Sequence, residues 1–186
     1  TFEHGRSVLQ LLRDPADPAA YEDERARLLG LRSRRVRPGR DDKVVAAWNG
    51  LAISALAECG VLLDRDDFVA AAIRCADLIV DRHIVDGRLR RASRDGVVGA
   101  PVGVLDDYGC VAEGLLVLHQ VTGVRRWLDV AQQLIGVALT HFGDGEGGFF
   151  DTADDAEQLV RRPRDPTDGA TPSGTSSIAA ALLASA

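Results

Sequence analysis

The 186-residue chain contains no methionine, and of its 22 basic residues only Lys43 is a lysine. A native start is therefore not expected at Thr1, and the last residues, Ser176 to Ala186, read as a helix only just begun. The chain is expected to be a piece of a longer protein, cut at both ends. The arginine bias, with abundant Ala, Val and Asp, suits a GC-rich genome, which makes the one retained lysine conspicuous. Cysteine is scarce too: Cys59, Cys75 and Cys110 form no C-x-x-C pair, which excludes a disulfide framework and a dithiol redox motif. They sit in apolar or amphipathic runs and are expected to be buried small hydrophobes in a reducing, cytoplasmic setting. No apolar stretch approaches the roughly 20 residues of a membrane helix, so no membrane association is expected. There is no G-x-S-x-G, no phosphate loop and no H-x-x-x-H spacing, so neither metal nor cofactor is expected. The net charge of −6 argues against a nucleic-acid partner. The cation-rich stretch from Arg25 to Lys43 has no interleaved aromatics and reads as solvated surface or internal pairing.

What is present is an ordinary globular composition, 46% apolar and 27% charged, and a mostly helical period. Helices are expected over about Tyr21–Ser33, Val45–Leu63, Asp66–Val85, Asp107–Val121 and Arg125–Phe142, with a sixth opening at Ser173. The second and fourth are apolar nearly all round and must be buried on most sides. The third and fifth are amphipathic, through Phe68, Ala72, Cys75, Ile79 and His83, and through Trp127, Ala131, Leu134, Ala138 and Phe142. Short β-ribbons are expected after Asp86-Gly87 and Asp144-Gly145, and no strands elsewhere.

These pieces repeat. Gly50 corresponds to Gly109, Leu56 to Leu115, Phe68 to Trp127 and Ala72 to Ala131, and a third copy starts near Gly174. Each unit is an apolar inner helix, a turn, an amphipathic outer helix and a long loop. Units of this kind bury their apolar faces only by stacking. Two layers of antiparallel hairpins make either a solenoid or a closed α/α toroid. Units this long, with elaborate loops, favour the toroid. The expected fold is all-α, a partial toroid with small β-ribbons. It has a lead-in helix in residues 1–40 and units over about 41–105, 106–172 and 173 onward.

Unusual residues gather just before each inner helix: Asp41, Asp42 and Lys43 leading to Trp48-Asn49-Gly50; Asp106-Asp107-Tyr108; and Arg161-Arg162 with Asp165, leading to Asp168 and Thr171-Pro172-Ser173-Gly174. If the repeat is real, all lie on one rim, at the mouth of the central cavity, where helix N-termini also point. Asp107 and Ser173 also read as N-caps. Asp41, Asp42 and Lys43 are either a solvated charge cluster or a site that needs a compact ammonium. Trp48 and Tyr108 either stack on a sugar ring or seal the core. Glu113, well inside an apolar helix, is either an acid or base or half of a structural pair with an arginine. Catalytic candidates are Asp107, Glu113 and Lys43. Binding candidates are Asp41, Asp42, Trp48, Asn49, Tyr108, Arg162, Asp168 and Ser173. The histidines, His4, His83, His119 and His141, fall away from this rim.

The ordered set D-D-K-x-x-x-x-W-N-G-L, D-D-Y-G, G-G-F-F and D-G-A-x-P-S-G resembles the spermatogenesis-associated protein 20 family, from about Arg32 to the C-terminus. That family joins a thioredoxin-like domain to a six-hairpin glycosidase-like toroid similar to N-acylglucosamine 2-epimerases. The resemblance implies a thioredoxin-like domain before Thr1 and more toroid after Ala186. It departs from the family pattern at Thr175, where the family carries Asn, and at Gly109, where it carries Ala. Two functions follow as expectations. One is a carbohydrate-active domain that isomerises or hydrolyses a sugar-like ligand. The other is a non-catalytic helical module presenting a partner or client to the thioredoxin-like domain. Self-association through the uncovered flanks is also expected.

Overall fold

The computed structural model describes residues 3–5, 10–157 and 160–186; the expectation concerning Thr1 falls outside that set. The chain forms two compact units, Thr1–Asp41 and Asp42–Ala186.

The first unit is organised by α1 (Pro18–Ser33). It starts earlier than the periodicity predicts because Asp17 caps it. The Asp17 carboxylate accepts from Ala19 N at 3.0 Å and Ala20 N at 3.1 Å, and Pro18 opens the first turn. Exposed pairs Arg25–Glu22 and Arg27–Glu24 run along it, and none of its residues is buried.

The second unit holds the core. It opens with β1 (Val44–Val45), then α2 (Ala46–Leu62) and α3 (Asp66–Leu78). A π-helical turn over Ile79–His83 follows, then β2 (Ile84–Val85), β3 (Arg88–Leu89), β4 (Ala92–Arg94) and β5 (Val97–Val98). The second hairpin is α4 (Leu105–Thr122) and α5 (Arg125–Phe142); a long loop leads to α6 (Gly174–Ser185). Helices α2, α4 and α6 form an inner row with α4 in the middle; α3 packs on α2, and α5 on α4. Among the described residues, no helix is long and apolar enough to cross a membrane.

Close approach within the inner row depends on glycine. A side chain at Gly50 would collide with the Cys110 backbone, and one at Gly109 with the backbone of Ser177 and Ile178. Gly50 in α2 and Gly109 in α4 are the residues that the repeat aligns, so one packing rule is used twice. The outer helices behave as their period predicts: α5 buries Trp127, Ala131, Leu134, Ile135, Ala138 and Phe142. The mid-row helix α4 buries most of its length, including Leu115, Leu116 and Leu118.

Four expectations need correction. The third helix does not run regularly to Val85; it widens into the π turn. This carries His83 into the core, with Nδ1 at 3.1 Å from Arg90 O and Nε2 at 2.9 Å from Ser93 Oγ. Strand content is broader than predicted. Besides the β2–β3 hairpin there is a sheet of order β1-β4-β5, built on a second Asp-Gly turn, Asp95-Gly96, with both residues at positive φ. The Asp144-Gly145 segment instead makes only a single bridge, Gly143 to Phe149. There the Asp144 carboxylate accepts from Glu146 N and Gly148 N, both at 2.8 Å, and the resulting loop replaces a ribbon. Finally, Cys59 is exposed rather than buried, since it lies on the outward flank of α2.

Candidate functional site

The three inner helices begin at one end of the second unit. The Asp107 carboxylate, in the first turn of α4, accepts from Ala47 N in the first turn of α2 at 3.0 Å. Leu105, the first residue of α4, packs against Gly174, the first of α6. The rim expected from the repeat is therefore real in geometry, and Trp48, Tyr108 and Ser173 lie at that same end.

A cleft of about 370 Å³ opens there between the starts of α4 and α6. Its remaining wall is the long loop after α5, folded back across the rim. Leu105 N donates to Asp151 O at 2.9 Å, and Asp165 N donates to Asp151 Oδ2 at 3.0 Å. Asp106, Asp151, Asp165, Thr167, Thr171 and Ser173 supply the polar lining. Ser173 caps α6 as predicted, accepting from Ser176 N at 3.1 Å, and is itself positioned by Ser173 N donating to Asp168 Oδ1 at 2.9 Å. The backbone N–H groups of Thr167 and Ser173 hold the Asp165 and Asp168 carboxyls below their usual range, so both are ionised at neutral pH.

Several predicted residues do other work. Asp107 is 0% exposed. Besides Ala47 N it accepts from Val104 N at 3.0 Å and from Arg91 Nη1 at 2.9 Å, so both oxygens are engaged. Burial pushes its carboxyl up to about 6, against the opposing pull of Arg91 and the N–H donors. A carboxyl in that range suits proton transfer, but no substrate reaches this one; it clasps α2 to α4. Tyr108 is also 0% exposed. Its ring packs on Phe142 with centroids 5.2 Å apart, and its hydroxyl accepts from Leu89 N at 3.0 Å. Of the two readings for Tyr108, sealing the core is the one that the geometry supports.

Asn49 turns away from the cleft. Its Nδ2 donates to Val45 O at 2.7 Å, and its Oδ1 accepts from the Cys75 thiol on α3 at 3.2 Å. Arg162 staples the long loop to α5: it stacks on Phe150 at 4.2 Å and donates to the carbonyls of His141 and Thr152. Trp48 is 64% exposed on the first turn of α2 and does not line the cleft. Asp42 and Lys43 are exposed just before β1, and Asp41 belongs to the first unit. Glu113 is half-buried in mid-α4, with its carboxyl raised by burial and by Glu58 of α2. Its charged neighbour is thus another carboxylate, not the arginine of the structural reading.

Two lining residues, Asp151 and Thr167, escape a reading of the rim from helix starts alone. The only signal for Asp151 is its place directly after Gly148-Phe149-Phe150. Among the described residues, His141, Asp154 and Asp155 bring ligand atoms within 4.8 Å of one another. Arg88 already pairs with Asp155 through two bonds of 2.5 and 2.9 Å and supplies the positive charge there. The cluster is a strap between the ribbon, α5 and the long loop.

No family model matches the chain. Human spermatogenesis-associated protein 20 is 35% identical over 169 residues, which cover 84% of this chain and 21% of that protein. The chain thus spans about a fifth of the length of the curated relative it matches. The solved structure of cellobiose 2-epimerase from Spirochaeta thermophila superposes with a TM-score of 0.61 at 15% identity, over 78% of this chain and 38% of that one. The GH76 α-mannanase of Bacteroides thetaiotaomicron superposes with a TM-score of 0.54 at 16% identity, over 63% and 34%. Identities this low establish the fold alone: the second unit is part of an α/α toroid.

Proposed function

We propose, for a chain whose resemblance to the spermatogenesis-associated protein 20 family holds across 84% of its length, that the second unit is the sugar-binding sector of a carbohydrate-active toroid. The observation that carries this reading is the cleft between the starts of α4 and α6, lined by carboxylates and hydroxyls at the mouth of the inner helices. Carboxylates and Ser or Thr hydroxyls are the groups that pair with vicinal hydroxyls of a sugar. The superposed epimerase and mannanase act on sugars by their names, and that supports the same ligand class here.

In this reading the binding groups are Asp151, Asp165, Thr171 and Ser173. Asp168 positions Ser173, and Asp107 with Arg91 holds the rim together. Asp106, the carboxylate of α4 that lines the cleft, is the candidate for proton transfer there; Glu113, half-buried in mid-α4, does not line it. Lys43, Asp42 and Trp48 border the start of α2 in sequence and belong to the reading only as outer contacts; Asp41, in the first unit, is left out of it. The experiment is a calorimetric titration of the chain with glucose, mannose, N-acetylglucosamine and cellobiose, repeated with Thr171→Val and Ser173→Ala. Binding weakened by both substitutions supports the proposal; binding indifferent to both removes the cleft from it.

A second reading has one observation in its favour. Asp107 and Tyr108, the strongest motif residues of the mid-row helix, are spent on structure. A helical module that presents a partner or client to a thioredoxin-like domain needs such rigidity and no reactive group. In a protein that joins this chain to a thioredoxin-like domain, loss of sugar binding without loss of client binding would separate the two.

A further inference from the structure

The charge of the cleft selects among sugars, and this step rests on the sugar reading above. Three carboxylates line it, Asp106, Asp151 and Asp165, and the rest of its polar lining is neutral. Among the described residues, no Lys or Arg lines it. Arg91 pairs with Asp106 and Asp107, Arg162 is held by two carbonyls and Phe150, and Arg164 pairs with Asp144 at 2.8 Å.

Helix N-termini ordinarily attract phosphate through their free N–H groups. Here the protein's own oxygens take part of that capacity. Leu105 N donates to Asp151 O, Asp107 N to Asp106 Oδ1 and Ser176 N to Ser173 Oγ. The helix starts are partly occupied internally, and the carboxylates of Asp106, Asp151 and Asp165 add acceptor oxygens to the cleft wall. Such a surface accepts hydrogen bonds from hydroxyls and repels a second anion. The volume of about 370 Å³ lies near the lower end of ligand pockets and suits a monosaccharide unit.

We propose that the α4–α6 cleft takes an uncharged monosaccharide unit and rejects sugar phosphates and uronates. The polyol is held by Asp151 and Asp165 as acceptors and by Thr167 and Thr171 as two-way hydroxyl partners, while Ser173, whose proton goes to Ser176 Oγ, offers its remaining lone pair. Asp106, tied to Arg91, closes the wall toward the ribbon.

The test uses matched pairs on the whole 186-residue chain: mannose against mannose 6-phosphate, and glucose against glucose 6-phosphate and glucuronate. Affinities are measured by calorimetry at low and at high ionic strength. The neutral sugar is expected to bind at least about tenfold more tightly than its charged partner, with the gap narrowing as salt screens the carboxylates. Asp151→Asn keeps an oxygen to accept from Asp165 N while removing a charge, so it is expected to narrow the gap at low salt, with unchanged circular dichroism. A phosphate or uronate that binds as well as the neutral sugar overturns this inference and leaves the sugar reading intact. Absence of binding by every sugar, charged or not, overturns the sugar reading and this inference with it.

Discussion

Replacing Asp107 by asparagine tests whether the inner row is held by a buried, clasped carboxylate. Asp107→Asn keeps the shape but turns one acceptor oxygen into a donor. Either Ala47 N or Val104 N then faces an N–H instead of an oxygen. One buried donor left unsatisfied costs about 1–3 kcal/mol at pH 7. The pH dependence is more specific. The folded carboxyl sits at about 6, raised by burial from its ordinary value of 3.8. A raised acid contributes stability that is complete below the unfolded value and is lost as pH rises through the folded one. For this pair of values the contribution at pH 5 exceeds that at pH 7 by about 1 kcal/mol. Urea denaturation of both proteins at the two pH values isolates the effect, because other titrating groups cancel in the difference. The wild-type advantage over Asp107→Asn is expected to grow by about 1 kcal/mol from pH 7 to pH 5. An advantage that shrinks on acidification would show that Arg91 and the two backbone donors outweigh burial, and the reasoning would be refuted.

Three further outcomes follow from the packing and the exposed flanks. Gly109→Ala drives a methyl group into the Ser177–Ile178 backbone and is expected to cost about 3 kcal/mol in chemical denaturation; a loss within error of zero contradicts the close crossing of α4 and α6. Tyr108→Phe leaves Leu89 N without its acceptor and is expected to cost about 1–3 kcal/mol while sugar affinity stays unchanged; lost affinity without lost stability would restore Tyr108 as a ligand contact. The chain is expected to self-associate in sedimentation through the open flanks of the inner row, where Trp48 and Leu62 on α2 and Leu183 on α6 are exposed. A clean monomer at high concentration rejects that. Leu182, next to Leu183, packs partly against the core.

The fold was legible where one periodicity runs uninterrupted. Helix α5 begins at Arg125 and ends at Phe142 as its apolar period requires, because its outer face meets water and its inner face packs chiefly on α4. The repeat was legible because the inner helices must cross closely, which demands small residues at equivalent places such as Gly50 and Gly109. The β1-β4-β5 sheet was not, since strands of two and three residues carry too little alternation, and Val45 reads as the opening of a helix. In the site, Ser173 was readable as a local cap, made by a bond within a few residues. Asp151 was not, because its place at the cleft depends on a non-local bond from Leu105 N across the rim. Tyr108 and Asp107 were correctly put at the rim but not inside it. Their inward turn depends on partners in other elements: Leu89 N in the ribbon for one, Ala47 N in α2 for the other.

The central claim is that a sugar binds at the mouth of the inner helices. It is tested most directly by following backbone amides of the ¹⁵N-labelled chain by NMR during titration with mannose or N-acetylglucosamine. The account predicts saturable shifts at Thr167, Gly169, Thr171, Ser173 and Gly174, with little change at Gly123 and Val124 between α4 and α5. Shifts absent from the first group, or concentrated in the second, would contradict it.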